Sequence, residues 1–349
     1  MHPYKLQPSK ARWRETVSLK HPLDIAEWYE RKFQISDGGI AAGGSCFAQH
    51  IGTHLRTSGF NFIDREPAPP WMGFAETQKF GYNLYSARFG NIYSPRQLFQ
   101  LLRRSMGDRS FDERPWRHGM GFVDPFRPTI EPPLSTEDEV LISRELHLQH
   151  VAAMFKNAKT FIFTLGLTET WTNRKTGAAY PVCPGVSGGS YDSDIHKLQN
   201  FDFTDVVADL EKFISEFKSV RKDGQIIFTV SPVPLVATAT QNNVVVATTY
   251  SKSVLRAAAG HLAERHPFVD YFPSYEIISS TPMKSMFFEP DMRSVNKNGV
   301  SHVMSHFFSQ HQPTKPAAEQ KPSEMKETVT RTDLICDEML LELAENSKV

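Results

Sequence analysis

Cysteine is scarce in this sequence, with only Cys46, Cys183 and Cys336 among 349 residues. They lie far apart and form no Cys-x-x-Cys pair, which argues against a disulfide framework or a zinc ribbon and suits a reducing compartment. Net charge is also missing: 39 basic side chains meet 39 acidic ones. Without a basic surplus, neither nucleic acid nor an anionic membrane surface is expected as a partner. No apolar run reaches the ~18 residues needed to cross a bilayer, and the longest, 161–167 and 226–236, read as buried strands. The polar segment 1–16, with Lys5, Lys10, Arg12 and Arg14, lacks the apolar stretch of a secretory signal, so export is not expected and a cytoplasmic location is.

What is present suffices for a sizeable core: hydrophobic residues make up 40% and charged residues 22% of the chain. Residues 1–35 read as an aromatic, proline-punctuated leader with a short helix near 25–31. The strand 38–42 enters a Gly-rich turn, and the helix 48–57 leaves it. A second helix, 94–106, is capped by Ser94-Pro95 and turns Leu98, Leu101 and Leu102 inward. Residues 107–134 read as a loop. A capping-box sequence at 135–139 opens a helix to 157, and strand 160–165, helix 203–218, strand 225–230, helix 250–265 and strand 268–271 follow. This alternation predicts an α/β fold, a three-layer α/β/α sandwich with a mostly parallel sheet. We expect one domain over 1–308, a polar linker over 309–330 and an amphipathic helix over 331–349. The plain reading of that helix is packing back on the domain, and the sharper one is docking of a protein partner.

In open α/β sheets, reactive groups gather on loops at the carboxyl ends of strands, where helix amino termini also point. Gly44-Ser45-Cys46 puts two small nucleophiles at the start of a helix, in positive potential that lowers a thiol pKa and stabilises an oxyanion. Thr168 and Glu169 follow a buried strand, the first able to donate a hydrogen bond and the second to orient or accept a proton. Asp291-Met292-Arg293-Ser294 precedes a helix, 300–308, with His302 and His306 four residues apart. That spacing can serve a metal, but no Glu or Cys pattern accompanies it, so neither metal nor cofactor is expected.

The motif Gly44-Ser45-Cys46-Phe47-Ala48 resembles the signature of the GSCFA domain. The similarity continues through Gly90-Asn91-Ile92-Tyr93-Ser94, Asp124-Pro125-Phe126-Arg127-Pro128, the 164–171 segment around Gly166 and Thr168, Pro181 with Cys183-Pro184-Gly185, the turn 231–234, and 270–276. This family resembles a branch of the SGNH/GDSL hydrolases, which implies an α/β/α fold and esterase or acyltransferase chemistry on a carbohydrate-type ester. The superfamily mechanism uses a turn Ser, an Asp-x-x-His pair and an oxyanion hole of backbone N–H groups and an Asn. By position, register points to Cys46 and residue chemistry to Ser45, and both stay open. Gly44, Gly90, Asn91 and Thr168 match the oxyanion blocks. The last block departs from the pattern, because Ser294 stands where the histidine belongs and cannot act as a base at neutral pH. His302, one element further on, is the expected replacement beside Asp291, with His50 as the other choice. The alternative is a non-catalytic module that binds a glycan or sugar nucleotide.

Overall fold

A computed structural model describes residues 2–35, 38–130 and 132–313. In chain order its regular elements are β1 (Ile40–Gly44), α1 (Ala48–Thr57), α2 (Phe74–Lys79), α3 (Pro95–Ser105), β2 (Trp116–His118), β3 (Gly121–Val123), α4 (Glu137–Asn157) and β4 (Thr160–Leu165). Next come β5 (Glu169–Asn173), β6 (Ala179–Tyr180), β7 (His196–Asn200), α5 (Phe203–Val220), β8 (Gln225–Val230), α6 (Val244–Arg265), β9 (Val269–Tyr271), α7 (Ser274–Ser279) and α8 (Lys297–Gln310).

The central sheet runs β1-β4-β8-β9 with every pair parallel. Side chains alternate across it, as the two-residue strand period requires. Phe161, Phe163, Leu165, Ile226, Phe228 and Val230 pack on the face covered by α3, α4, α5 and α6. Ile40, Ala42, Ile162 and Ile227 pack on the other, under α1, α7, α8 and the leader. These three layers are the sandwich that the alternating pattern predicts. A parallel bridge from Ile40 to Phe62 extends the β1 edge.

Local chemistry fixes the helix starts. Ser94, Thr136 and Asp202 each form a reciprocal capping box, satisfying amides that helix geometry leaves orphaned. Asn243 caps α6 and Asn296 caps α8, so both helices begin earlier than their apolar pattern suggests. The leader differs from expectation. No helix forms at 25–31; Glu27 has φ 57°, and Tyr29 turns inward to donate to Asp270 Oδ2 at 2.8 Å. One buried long-range bond outweighs a weak local helical tendency there.

Two small antiparallel sheets interrupt the alternation. The β2–β3 hairpin lies within the 107–134 excursion, and β6-β5-β7 forms from the chain that leaves β4. α8 runs to Gln310, so the first two residues of the expected linker are helical, and the segment 331–349 lies outside the described residues. Among the described residues, no helix is long and apolar enough to cross a membrane.

Candidate active site

β1 delivers Ser45 to the carboxyl end of the sheet through a turn that only glycine can make. Gly44 has φ +136°, and a Cβ there would lie 2.4 Å from the Thr164 carbonyl oxygen. Ser45 N donates to that oxygen at 3.0 Å, and Ile92 N donates to Gly44 O at 2.9 Å. Ser45 is thus pinned between β4 and the segment around residue 92. Its side chain faces the next loop, where a Cβ placed on Gly166 would sit 3.0 Å from Ser45 Cβ. Ser45 is 2% exposed, and its Oγ has no hydrogen-bond partner among the described residues. Cys46, also buried, belongs instead to the apolar cluster with α1, α7 and α8.

Behind Ser45 lies a buried polar network. Tyr85 donates to Asn91 Oδ1 and approaches Ser45 O at 3.3 Å, while Gln49 Nε2 reaches Tyr85 Oη at 3.2 Å and Asn91 Oδ1 at 3.4 Å. In front of it, the Gly166 and Leu167 amides donate to Tyr93 O at 2.9 and 3.0 Å. From α6, Lys252 Nζ donates to Gly166 O at 2.8 Å and Ser251 Oγ accepts from Thr168 N at 2.9 Å. Lys252 is 1% exposed, so its amine is carried into the interior at the strand end.

The expected residues fall into two groups. Gly44, Ser45 and Asn91 are linked at this end of the sheet by the bonds above, and Thr168 lies in the loop after β4 that also carries Gly166. Gly90 lies one residue before Asn91 with φ +71°. Several of the expected oxyanion donors are already engaged: Ser45 N by Thr164 O, and Thr168 Oγ1 by Asn200 Oδ1 at 2.6 Å. Glu169 opens β5 and accepts from Thr238 Oγ1 at 2.5 Å and Ala239 N at 3.1 Å, tying down the loop after β8.

Asp291 stands apart. It is exposed and bonds its own turn, accepting from Arg293 N and Ser294 N at 2.8 Å and from Ser294 Oγ at 2.6 Å. Burial opposes ionisation there, but the Ser294 and Arg293 bonds outweigh it and hold the carboxyl below its ordinary value. His302 stacks on Phe287 at 5.0 Å between centroids and lies 3.4 Å from His306 Nε2, with burial lowering its pKa. Among the described residues, no hydrogen bond joins it to Asp291. His50 is pushed down to about 4 by burial and then by His54, and its Nε2 is buried without a partner. No three His, Cys, Asp or Glu side chains converge as metal ligands would among the described residues.

Sequence reasoning did not find Gln49, Ser251 or Lys252. The only trace of the last two is the polar stretch 249–253 inside an otherwise apolar helix, which periodicity assigns to the surface.

No curated protein matches the chain. The model of the GSCFA family matches residues 39–307, from the strand that delivers Ser45 to the last helix of the sandwich, and the chain belongs to that family.

Proposed function

We propose that the protein is an acyl-ester hydrolase or O-acyltransferase with Ser45 as its nucleophile. The observation that carries this reading is the Ser45 hydroxyl, held by Gly44 at a strand end and left without a partner among the described residues. Its Oγ attacks the ester carbonyl, the alcohol leaves, and water or a sugar hydroxyl then takes the acyl group from the serine ester. The start of α1 brings positive potential to the oxyanion that forms. Ser45 is favoured over Cys46 because the thiol belongs to an apolar cluster.

The proton acceptor is proposed as His302 by its place after Asp291, with Lys252 as the competing basic nitrogen beside Gly166. A carbohydrate-type acceptor suits the Trp171–Tyr191 pair, which packs edge-on at 5.3 Å on the sheet that begins at Glu169, with Tyr191 half exposed.

A second reading, a non-catalytic glycan or sugar-nucleotide binder, draws support from Ser294 in the histidine's place and from the engaged oxyanion donors. A fluorophosphonate probe followed by peptide mapping separates the two. Labelling at Ser45 that disappears on denaturation and in Ser45→Ala supports the enzyme, whereas glycan binding without any labelling supports the binder.

A further inference from the structure

Away from Ser45, helix α3, the turn after β3 and helix α4 bring three arginines indoors. Arg104, Arg127 and Arg144 are 3%, 6% and 4% exposed, and they share one buried carboxylate, Asp124. Arg144 is satisfied: Nε and Nη2 donate to Asp124 Oδ1 at 3.2 and 2.9 Å, and Nη1 to Glu113 O at 2.6 Å. Arg127 makes three 3.4 Å bonds, to Asp124 Oδ2, Arg88 O and Ser143 Oγ.

Arg104 is different. Its guanidinium stacks 3.5 Å over Phe126, and its Nε and Nη2 are shut off from water without a hydrogen-bond partner among the described residues. Among the described residues it pairs only with Asp112, and the Nε to Oδ1 distance is 3.6 Å. Burial pushes the guanidinium down to about 10, a pull that Asp124 only partly offsets. Glu66, which accepts from His147 Nδ1 and Arg88 N, both at 2.6 Å, acts on Arg127 and makes no ion pair with Arg104 among the described residues. Buried cations with unmade hydrogen bonds are costly, and proteins normally compensate them.

A cavity of about 30 Å³ opens between these groups, lined by Arg104, Arg127, Phe126 and Asn91, with Asp124 and His147 on its wall. Since one water needs ~10–15 Å³ measured this way, the space takes a halide or one end of a carboxylate but no tetrahedral oxyanion. His147 gives Nδ1–H to Glu66 and so offers no second donor while neutral.

We propose that this cavity is a binding site for one small monovalent anion, a halide or a carboxylate head, held by the unmade hydrogen bonds of the Arg104 guanidinium with Arg127 beside it. The site does not depend on Ser45 being a nucleophile.

The test is the thermal midpoint of the full chain at constant ionic strength, with sodium methanesulfonate exchanged for chloride, bromide or acetate. The midpoint is expected to rise logarithmically once the anion exceeds its dissociation constant, by about 2 °C for each further tenfold. A rise in halide but not acetate identifies an inorganic ion; a rise in acetate as well identifies carboxylate recognition. Arg104→Met, which keeps an apolar stem over Phe126, should abolish the dependence. Should that variant not fold, an anomalous bromide peak within about 3.5 Å of Arg104 Nη2 in soaked crystals takes its place. Equal midpoints in all the anions, a dependence that survives in Arg104→Met, or no bromide peak at Arg104 overturns the proposal.

Discussion

Lys252 reaches from the middle of α6 to the carbonyl of Gly166, 2.8 Å away, and Gly166 is the residue whose missing side chain makes room for Ser45. Helix, strand-end loop and nucleophile candidate are therefore held in one contact chain. Lys252→Met leaves the Gly166 oxygen unpaired, at an expected cost of about 1–3 kcal/mol. If Lys252 positions this loop, the rate of Ser45 labelling falls by more than the midpoint shift explains. Unchanged labelling would reduce Lys252 to a structural role.

Gly44→Ala and Gly166→Ala should separate folding from access. At Gly44 the added methyl meets backbone at 2.4 Å and a positive φ, so a loss of roughly 2–5 kcal/mol is expected in denaturant melts. At Gly166 it meets Ser45 Cβ at 3.0 Å and Tyr93 O at 3.1 Å. There a smaller stability loss, about 1–3 kcal/mol, should accompany loss of probe labelling.

The base assignment has a direct kinetic test. Loss of a general base typically costs ~10²–10⁴ in rate, so His302→Ala should nearly abolish turnover of an aryl acetate while the midpoint holds. Retained turnover in His302→Ala together with loss in Lys252→Met would move the role to Lys252.

Acid should weaken the fold from near pH 6.5 downward. Burial holds His147 and His311 near 4, with Arg127 adding to the shift at His147 and Arg31 at His311, and His50 behaves likewise. A histidine whose folded pKa lies below its unfolded value binds fewer protons when native, so its stability contribution is present above about 6.5 and is lost between there and 4. Glu66 adds the same sign lower down. Burial alone would raise it, but His147, Arg127 and the Arg88 amide bring it to about 2, so its contribution fades below the ordinary value of 4.5. Each histidine is worth on the order of 1–3 kcal/mol. Midpoints between pH 7 and 4 should fall monotonically, and a flat profile would refute this.

Asp124 is the shared counter-ion of the arginine cluster, held well below the ordinary carboxylate range by Arg144, Arg127 and Arg104 against the opposing effect of burial. Asp124→Asn should therefore cost about 3–5 kcal/mol, since it strands buried cations. Chemical denaturation measures it.

The sequence by itself determined the layers and the strand that carries Ser45. β4 and β8 span the residues that apolar, β-branched composition predicted, because a strand buried on both faces must be apolar along its whole length. Capping residues likewise announced α3 and α4, since an orphaned amide finds its partner within three residues. The family was legible for the same local reason: Gly44-Ser45-Cys46 is one turn, and only glycine fits its first position.

Only the tertiary structure decided what surrounds Ser45. Lys252 lies 86 residues from Gly166, and Ser251 lies 83 from Thr168. Neither bond leaves a periodic trace, because one polar side chain on a long helix reads the same whether it faces water or a buried carbonyl. The Asp124 cluster stayed hidden for a related reason. Arginines at 104, 127 and 144 look like surface charges until α3, α4 and the turn between them fold over Phe126, and desolvation then turns ordinary cations into a site.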